Sequence, residues 1–336
     1  MTRAKRLAVS MADVAQLSGV SVATVSHVIK KSRRVSPDTE LAVLQAIARS
    51  GYIVESQGVS ATKTLGMAMS SISNTYFGEV VSSVERAAAA KGYSLLLADT
   101  HDEVTAELRA VSNLVARRVD AIILAPSADP TLALQQAQHH GIPVVLIDRL
   151  SSADVDQIGA ENVEPTAKLV DHLAEIGHQR VAMIGGQPGL STSEERNAGY
   201  RDGLARNSLF FDANYLVSGD SRDGEARSAI LKLMALPKPP TALVVANNSM
   251  TIGALRGALE LGIRIPEDLA LVSFDDFEWA ELFRPRLTVI AQPLHAMGKQ
   301  AVDLVISRLE DPSLPVRRVV MATTFVHRES CGCPPA

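Results

Sequence analysis

Only two cysteines occur in the 336 residues, Cys331 and Cys333, together in a CGCPP run. With no partner pair elsewhere they exclude a disulfide framework, and two cysteines alone do not make a four-ligand zinc site. The run reads as a frayed tail, and neither a metal nor another cofactor is expected. No stretch approaches the length of a membrane-spanning helix. The start MTRAKRLAVSMADVA is basic but lacks an apolar core, because Asp13 interrupts it. A soluble cytoplasmic protein with no membrane partner is therefore expected. Enzyme signatures are missing too. GGQPG at 185–189 has neither the GKS or GKT ending of a phosphate loop nor the spacing of a dinucleotide fingerprint. Eight scattered histidines yield no nucleophile and base pair. No terminal leucine heptad offers a coiled-coil route to tetramers.

What is present is organised around residues 10–51. Ser10 with Asp13 three residues on is a capping-box start, and Val14 and Leu17 are assigned to the apolar face of a first helix. Gly19 breaks that helix. Ser21 caps a second, 22–30, with Val25, Val28 and Ile29 inward and Val22, Ala23, Ser26 and His27 outward. Ser36-Pro37 opens a third helix, with Leu41, Leu44 and Ile47 closing a small core. This is the layout of a helix-turn-helix, whose second helix enters the major groove.

Charge favours that reading over an ordinary helical hairpin. Residues 1–57 hold eight Lys or Arg, among them Arg3, Lys5, Arg6, Lys30, Lys31, Arg33 and Arg34, against four acids, a net +4. The whole chain is −4, so the remainder is −8. A basic head on an acidic body is what contact with phosphates requires. The DNA-contact candidates are Ser21, Val22, Ala23, Thr24, Ser26, His27, Lys30, Lys31 and Arg34.

The run DVAQLSGVSVATVSHVI, followed by VSPDT and GYI, resembles the start of a LacI/GalR-family transcription regulator. The likeness continues through GIPVVLIDR, GHQRVAMIGG, ERNAGYRDGL, ALVVANNSMTIGAL, IPEDLALVSFDD and HRES, so it covers nearly the whole chain. It implies an α/β protein: a three-helix head at 1–57, a linker or short hinge at 58–65, and an effector-binding and dimerisation body at 66–336. That body is two-lobed and similar to periplasmic binding proteins. Lobe one is expected at about 66–160 and 290–325, lobe two at about 161–289, joined by three crossings. The implied function is sequence-specific binding of double-stranded operator DNA, as a repressor controlled by a small carbohydrate-like effector. The alternative is a periplasmic-type sugar-binding protein, which has no use for a basic head.

The chain departs from the family pattern in two places near DNA. The linker is about one helical turn shorter than usual, with Gln57 where a minor-groove wedge leucine is expected and Val59 as the nearby apolar residue. A weaker DNA bend follows, measurable by circular-permutation electrophoresis. In the reading helix, His27 replaces an arginine that would donate two hydrogen bonds to guanine.

From Leu65 onward apolar runs alternate with helical patterns, as in doubly wound parallel sheets with crossover helices. Strands are expected in LGMAMSSI, SLLLADT, AIILAPS and VVLID, then in RVAMIGG, TALVVAN and LALVSFDD, with 215–217 a weaker member. Helices are expected near 77–91, 104–118, 130–140, 163–176, 194–207, 224–235, 250–261 and 296–309.

Ligands of such folds bind beyond the carboxyl ends of the strands. The residues there are Ser73, Asn74, Tyr76 and Phe77, then Asp148 and Arg149, then Arg196, Asn247 and Asp275. Carboxylates, an amide, arginines and an aromatic suit a polyhydroxylated ligand. Each also has a plain structural role available, as a turn cap, a loop support or core. The resemblance places Arg196, Asn247 and Asp275 on effector-contacting positions. Trp279, the only tryptophan, is a lesser candidate. Arg149 with Arg196 admits a sugar acid or sugar phosphate as well as a neutral sugar. Asn248 stands where the family usually has aspartate, and no stacking aromatic lies near Ser221. A single reading head recognises only a half-site, so a homodimer is expected, with helix 77–91 contributing Val80, Val81, Val84, Ala87 and Ala88.

Overall fold

A computed structural model describes residues 9–30, 33–50, 52, 62–71 and 74–333, with the side chain of Lys30 excepted. Arg3, Lys5, Arg6, Lys31, Gln57, Val59 and Ser73 lie outside the described residues.

The head consists of α1 (Met11–Ser18), α2 (Val22–Lys30) and α3 (Pro37–Ser50). Ser10 and Asp13 form the expected reciprocal capping box, and Gly19 ends α1 in the left-handed region at φ 67°. Ser21 and Ser36 accept from the backbone N–H of Thr24 and Thr39. Val14, Val25, Val28, Val43, Leu44 and Ile47 are buried together. Leu17 corrects the sequence reading: it is 61% exposed, and Val14 and Ala15 form the inner face of α1 instead. The step of three residues from Val14 to Leu17 stops about 60° short of a full turn, on the side away from Ala15, and so falls outside the narrow seam that so short a helix presents to two neighbours. Leu108 and Leu132 of the body extend the head's core, and Arg109 donates to the Pro37 carbonyl at 3.2 Å.

The body begins with β1 (Thr64–Met69), α4 (Thr75–Ala90), β2 (Ser94–Asp99), α5 (Val104–Ala116), β3 (Ala121–Leu124), α6 (Thr131–His139), β4 (Val144–Asp148) and β5 (Asp156–Ala160). After a first crossing come α7 (Val163–Glu175), β6 (Val181–Gly185), α8 (Ser191–Arg206), β7 (Leu216–Ser218), α9 (Asp223–Met234), β8 (Ala242–Val245), α10 (Asn248–Glu260), β9 (Ala270–Phe274) and β10 (Thr288–Ala291). A second crossing returns α11 (Leu294–Glu310) and β11 (Arg318–Met321) to lobe one, and a third carries β12 (Thr324–Val326) back to lobe two.

Sheet one runs β11-β5-β4-β3-β1-β2, all parallel. Sheet two runs β12-β10-β9-β8-β6-β7, parallel except for the β10–β12 pair. Strand order reverses between β1 and β3 in one lobe and between β6 and β8 in the other, and the two reversal points face each other across the cleft. The near-continuous apolar runs of β3, β4, β8 and β9 follow from burial on both sheet faces.

Four strands escape the sequence pattern. β5 reads DQIGA, so its burial is achieved by hydrogen bonding rather than apolarity. Asp156 is bound by Arg308 and Arg317, and Gln157 by the 151–153 turn. β10, β11 and β12 are three or four residues long, too short for a period to show. The frayed-tail expectation is also corrected. Cys331 is 0% exposed, and Ser330 is buried beside it, its hydroxyl donating to the Leu271 carbonyl and accepting from Thr288 N–H. No helix among the described residues is long and apolar enough to cross a membrane.

Candidate effector cleft and DNA-reading helix

Two aspartates end equivalent strands. Asp148 closes β4 and Asp275 follows β9, at φ 72° and 74°. Left-handed backbone at a non-glycine residue is strained, and here it occurs twice at matching points of two lobes. The turn aims each carboxylate into the cleft, where both are buried.

Around Asp148, the first turn of α4 supplies Tyr76, whose hydroxyl donates to the carboxylate at 2.5 Å, and Phe77, packed edge-on to the Tyr76 ring. Burial, with the negative charge of Asp148 and Asp275, holds the Tyr76 phenol well above its usual range, so it serves as a donor. Arg149 is buried against the Asp102 carboxylate and donates to the Pro126 carbonyl, while its Nε has no hydrogen-bond partner among the described residues and stands 3.7 Å from Asp148. Burial disfavours its charge, but Asp102 and Asp148 outweigh that and raise its pKa.

Around Asp275, Arg196 reaches in from α8. Its guanidinium lies 3.7 Å from the Phe274 ring centroid and donates to Asn162 and the Ala246 carbonyl, with Nη2 3.9 Å from Asp275. Gln292 donates to Asp275 at 2.7 Å. Burial pushes the Asp275 carboxyl up, and Arg196 and Gln292 pull against it. Asn162 and Gln292 sit on the first and second crossings, so the chain segments that join the lobes grip this charge pair directly.

Asn247 lines the cleft but is also the N-cap of α10, accepting from Met250 N–H at 2.7 Å. The plain structural role weighed for it is therefore real and coexists with its place in the cleft. Gly186 is required by close approach, since a Cβ there would stand 2.3 Å from Ser193 Oγ. Asn74 caps α4 and exchanges hydrogen bonds with Asn248 across the lobes, at 2.7 and 3.1 Å, while also reaching Ser249. The closed cleft encloses about 50 Å³, room for a few waters. A larger guest requires this amide latch to open.

The fold thus collects Tyr76, Phe77, Asp148, Arg149, Arg196, Asn247 and Asp275 in one place. Trp279 is not among them; it is 50% exposed on a short turn. Asp102, Asn162 and Gln292 were not anticipated. Asp102 lies just past the carboxyl end of β2, the same positional signal that picks out Asp148; Asn162 and Gln292 follow β5 and β10, two strands that the sequence pattern does not reveal.

Glu107 was also missed. It is fully buried on α5, accepts from Ser127 N–H, leaves Oε1 without a partner among the described residues, and burial lifts its pKa to about 7. A carboxyl raised from 4.5 binds more protons folded than unfolded between those values, so stability falls as pH climbs from 4.5 to 7 and levels off above. Relative to Glu107→Gln, the wild-type chain is expected to lose about 3 kcal/mol across that window. Urea denaturation at stepped pH checks this, and parallel curves for the two proteins count against it.

In the head, Ser21, Val22 and Ala23 are exposed at the start of α2, while Thr24, Ser26 and His27 are half-buried along it. Arg33 and Arg34 stand exposed where the chain leaves the helix. An apolar underside, an outer face of Val22, Ala23, Ser26 and His27, and flanking cations match a helix that reads a DNA groove. His27→Arg is expected to shift the preferred half-site toward guanine at one base, readable by binding-site selection; unchanged selection removes His27 from base reading.

A helix-turn-helix head on a two-lobed body with a polar interlobe cleft defines a DNA-binding transcriptional regulator, not an enzyme. Comparison with known proteins agrees. Residues 10–55 match the family described as bacterial regulatory proteins, lacI family, and residues 170–331 match a periplasmic binding protein-like domain. The HTH-type transcriptional repressor PurR of Erwinia tasmaniensis is 31% identical over 330 residues, covering 96% of this chain and 97% of that one. The ribose operon repressor of Escherichia coli is 31% identical over 328 residues, covering 96% and 99%. Among solved structures, a complex of the transcriptional regulator CelR with cellobiose superposes with a TM-score of 0.77 at 28% identity, covering 96% of this chain and 99% of that one. The chain belongs to the LacI family of bacterial regulatory proteins.

Proposed function

We propose that the protein is a cytoplasmic, dimeric repressor whose operator affinity is set by a neutral carbohydrate held between the lobes. The observation that carries this reading is the pair of buried aspartates at matching strand ends, facing one cleft in strained backbone. Asp148, Asp275 and the nearby Asp102 are three carboxylates against two guanidiniums, Arg149 and Arg196. Both arginines already face acids, Asp102 and Asp275, so little positive charge remains to attract a carboxylate or phosphate. Carboxylates and the Tyr76 oxygen accept from ligand hydroxyls, Arg149 Nε donates, and Phe77 offers an apolar edge, which together suit a polyol. The ribose operon repressor and the cellobiose complex among the related proteins support the same ligand class. For the dimer, Val81 and Ala87 stay partly exposed on α4 beside the exposed Leu97 of edge strand β2.

Thermal-shift screening against neutral sugars, sugar acids and sugar phosphates tests the assignment, because a ligand of the folded state raises Tm by mass action. Neutral sugars are expected to give the shift. A rise seen only with anionic sugars overturns the carboxylate-rich reading.

A further inference from the structure

The carboxyl-terminal segment carries a second cluster of chemistry, remote from the effector cleft. His327, Cys331 and Cys333 lie on one stretch, HRESCGC, and His172 projects from α7, 161 positions before Cys333. The Sγ of Cys331 is 3.2 Å from Nε2 of His327, and the Sγ of Cys333 is 3.4 Å from Nε2 of His172. One donor atom from each of the four residues lies within 4.8 Å of all the others. We propose that His172, His327, Cys331 and Cys333 form a four-ligand zinc site that pins the end of the chain to helix α7 of lobe two.

The geometry is near what the ion needs. Zinc bonds of about 2.3 Å to sulfur and about 2.1 Å to nitrogen, arranged tetrahedrally, separate a sulfur from a nitrogen by about 3.6 Å. The two closest pairs are already that near, and the widest needs a contraction of about 1 Å to meet the same geometry. Two thiolates with two imidazoles and no carboxylate favour zinc over hard cations such as magnesium or calcium. Four protein ligands leave no open position, which marks a structural site and not a catalytic one.

The ligands are positioned by contacts independent of any ion. Gly332, at φ 82°, turns the chain between the two cysteines so that both sulfurs face one point. Ser330 and Glu329 are fixed by hydrogen bonds to Leu271 and Arg286, which hold Cys331 in the interior. The Thr288 hydroxyl donates to the Cys331 sulfur at 3.5 Å, the kind of outer contact that orients a metal ligand. The His172 ring meets the Phe325 and His327 rings edge-on at 5.2 and 5.1 Å, and Phe325 stacks on His327. His327 is exposed, which gives an ion a path from solvent. Two cysteines alone exclude a zinc site in the sequence; two histidines brought in by β12 and α7 complete it.

The test uses the full chain, purified under reductant and stripped of metal with a chelator. Cobalt titration is expected to give the near-ultraviolet sulfur-to-cobalt band and the visible band of tetrahedral thiolate cobalt, saturating at one ion per chain and bleached by one equivalent of zinc. Zinc is expected to raise Tm. Cys333→Ser and His327→Gln, both on the outer side of the cluster, are expected to weaken zinc binding by at least about 100-fold, with far-ultraviolet circular dichroism and DNA binding as checks of folding. Absence of the thiolate band, or a band that persists in both variants, overturns the proposal. So does equal reactivity of both thiols toward a disulfide reagent with and without zinc.

Discussion

Replacing Arg196 by alanine is expected to destabilise lobe two by about 3–5 kcal/mol, because the change strands a buried carboxylate without its counterion. Asp275 faces Arg196 at 3.9 Å, and the same guanidinium holds Asn162 and the Ala246 carbonyl while covering the Phe274 ring. The same substitution is expected to weaken effector binding about 10- to 100-fold, since Asp275 loses the charged partner that positions it and a charged hydrogen-bonding group contributes about 1.5–3 kcal/mol. Urea denaturation and calorimetric titration with a sugar that raises the wild-type Tm measure the two effects. Below its melting transition the variant should still bind DNA, because the head packs against Leu108 and Leu132 of lobe one and, among the described residues, not against lobe two. A variant as stable as wild type removes the charge pair from its central place. Arg196→Lys is expected to recover the stability in part but not the binding, as an ammonium neither covers the ring nor reaches three partners at once.

Ala23→Glu is expected to lower operator affinity by about 100- to 1000-fold, since a like charge set against phosphates costs several kcal/mol. Ala23 is exposed in the first turn of α2, and glutamate is a good helix former there, so the head should keep its fold. Fluorescence anisotropy with operator DNA measures the loss, and sugar binding by the same variant should be unchanged. By contrast, Arg34→Ala should weaken binding to all sequences alike and reduce the salt slope by about 1. A full-affinity Ala23→Glu protein means that α2 does not face DNA.

The head was legible because every level of its sequence agrees: Ser10 with Asp13 at the start, Gly19 at the break, Ser21 and Ser36 as caps, and an apolar seam of period 3.6. Leu17 was misread because a residue count over one turn cannot say how wide the buried stripe is. In the body, the strands flanked by helices on both sides declared themselves as apolar runs. β5 did not, since Asp156 is buried through arginines far away in the chain and Gln157 through the 151–153 turn. The cleft residues Asp148, Arg149 and Asp275 could be found by position past a strand end, and Arg196, inside α8, through the family resemblance. Asn162 and Gln292 could not, because the strands they follow, β5 and β10, do not stand out in the sequence and their partners are set by where the crossings pass in space. The His172, His327 and Cys331 grouping was invisible for the same reason.

Those two crossing residues suggest how the sites communicate. A ligand that competes for Asp275 or Arg196 is expected to disturb Gln292 and Asn162, and with them the segments that join the lobes, with the Asn74–Asn248 contact opposing their separation. Ligand and DNA are then coupled through one opening equilibrium, and the coupling must be reciprocal. The direct measurement is the Kd for operator DNA with and without a saturating sugar, paired with the Kd for that sugar with and without operator. The account predicts the same factor in both, about 10-fold or more. Operator affinity that does not change while the cleft is occupied contradicts it.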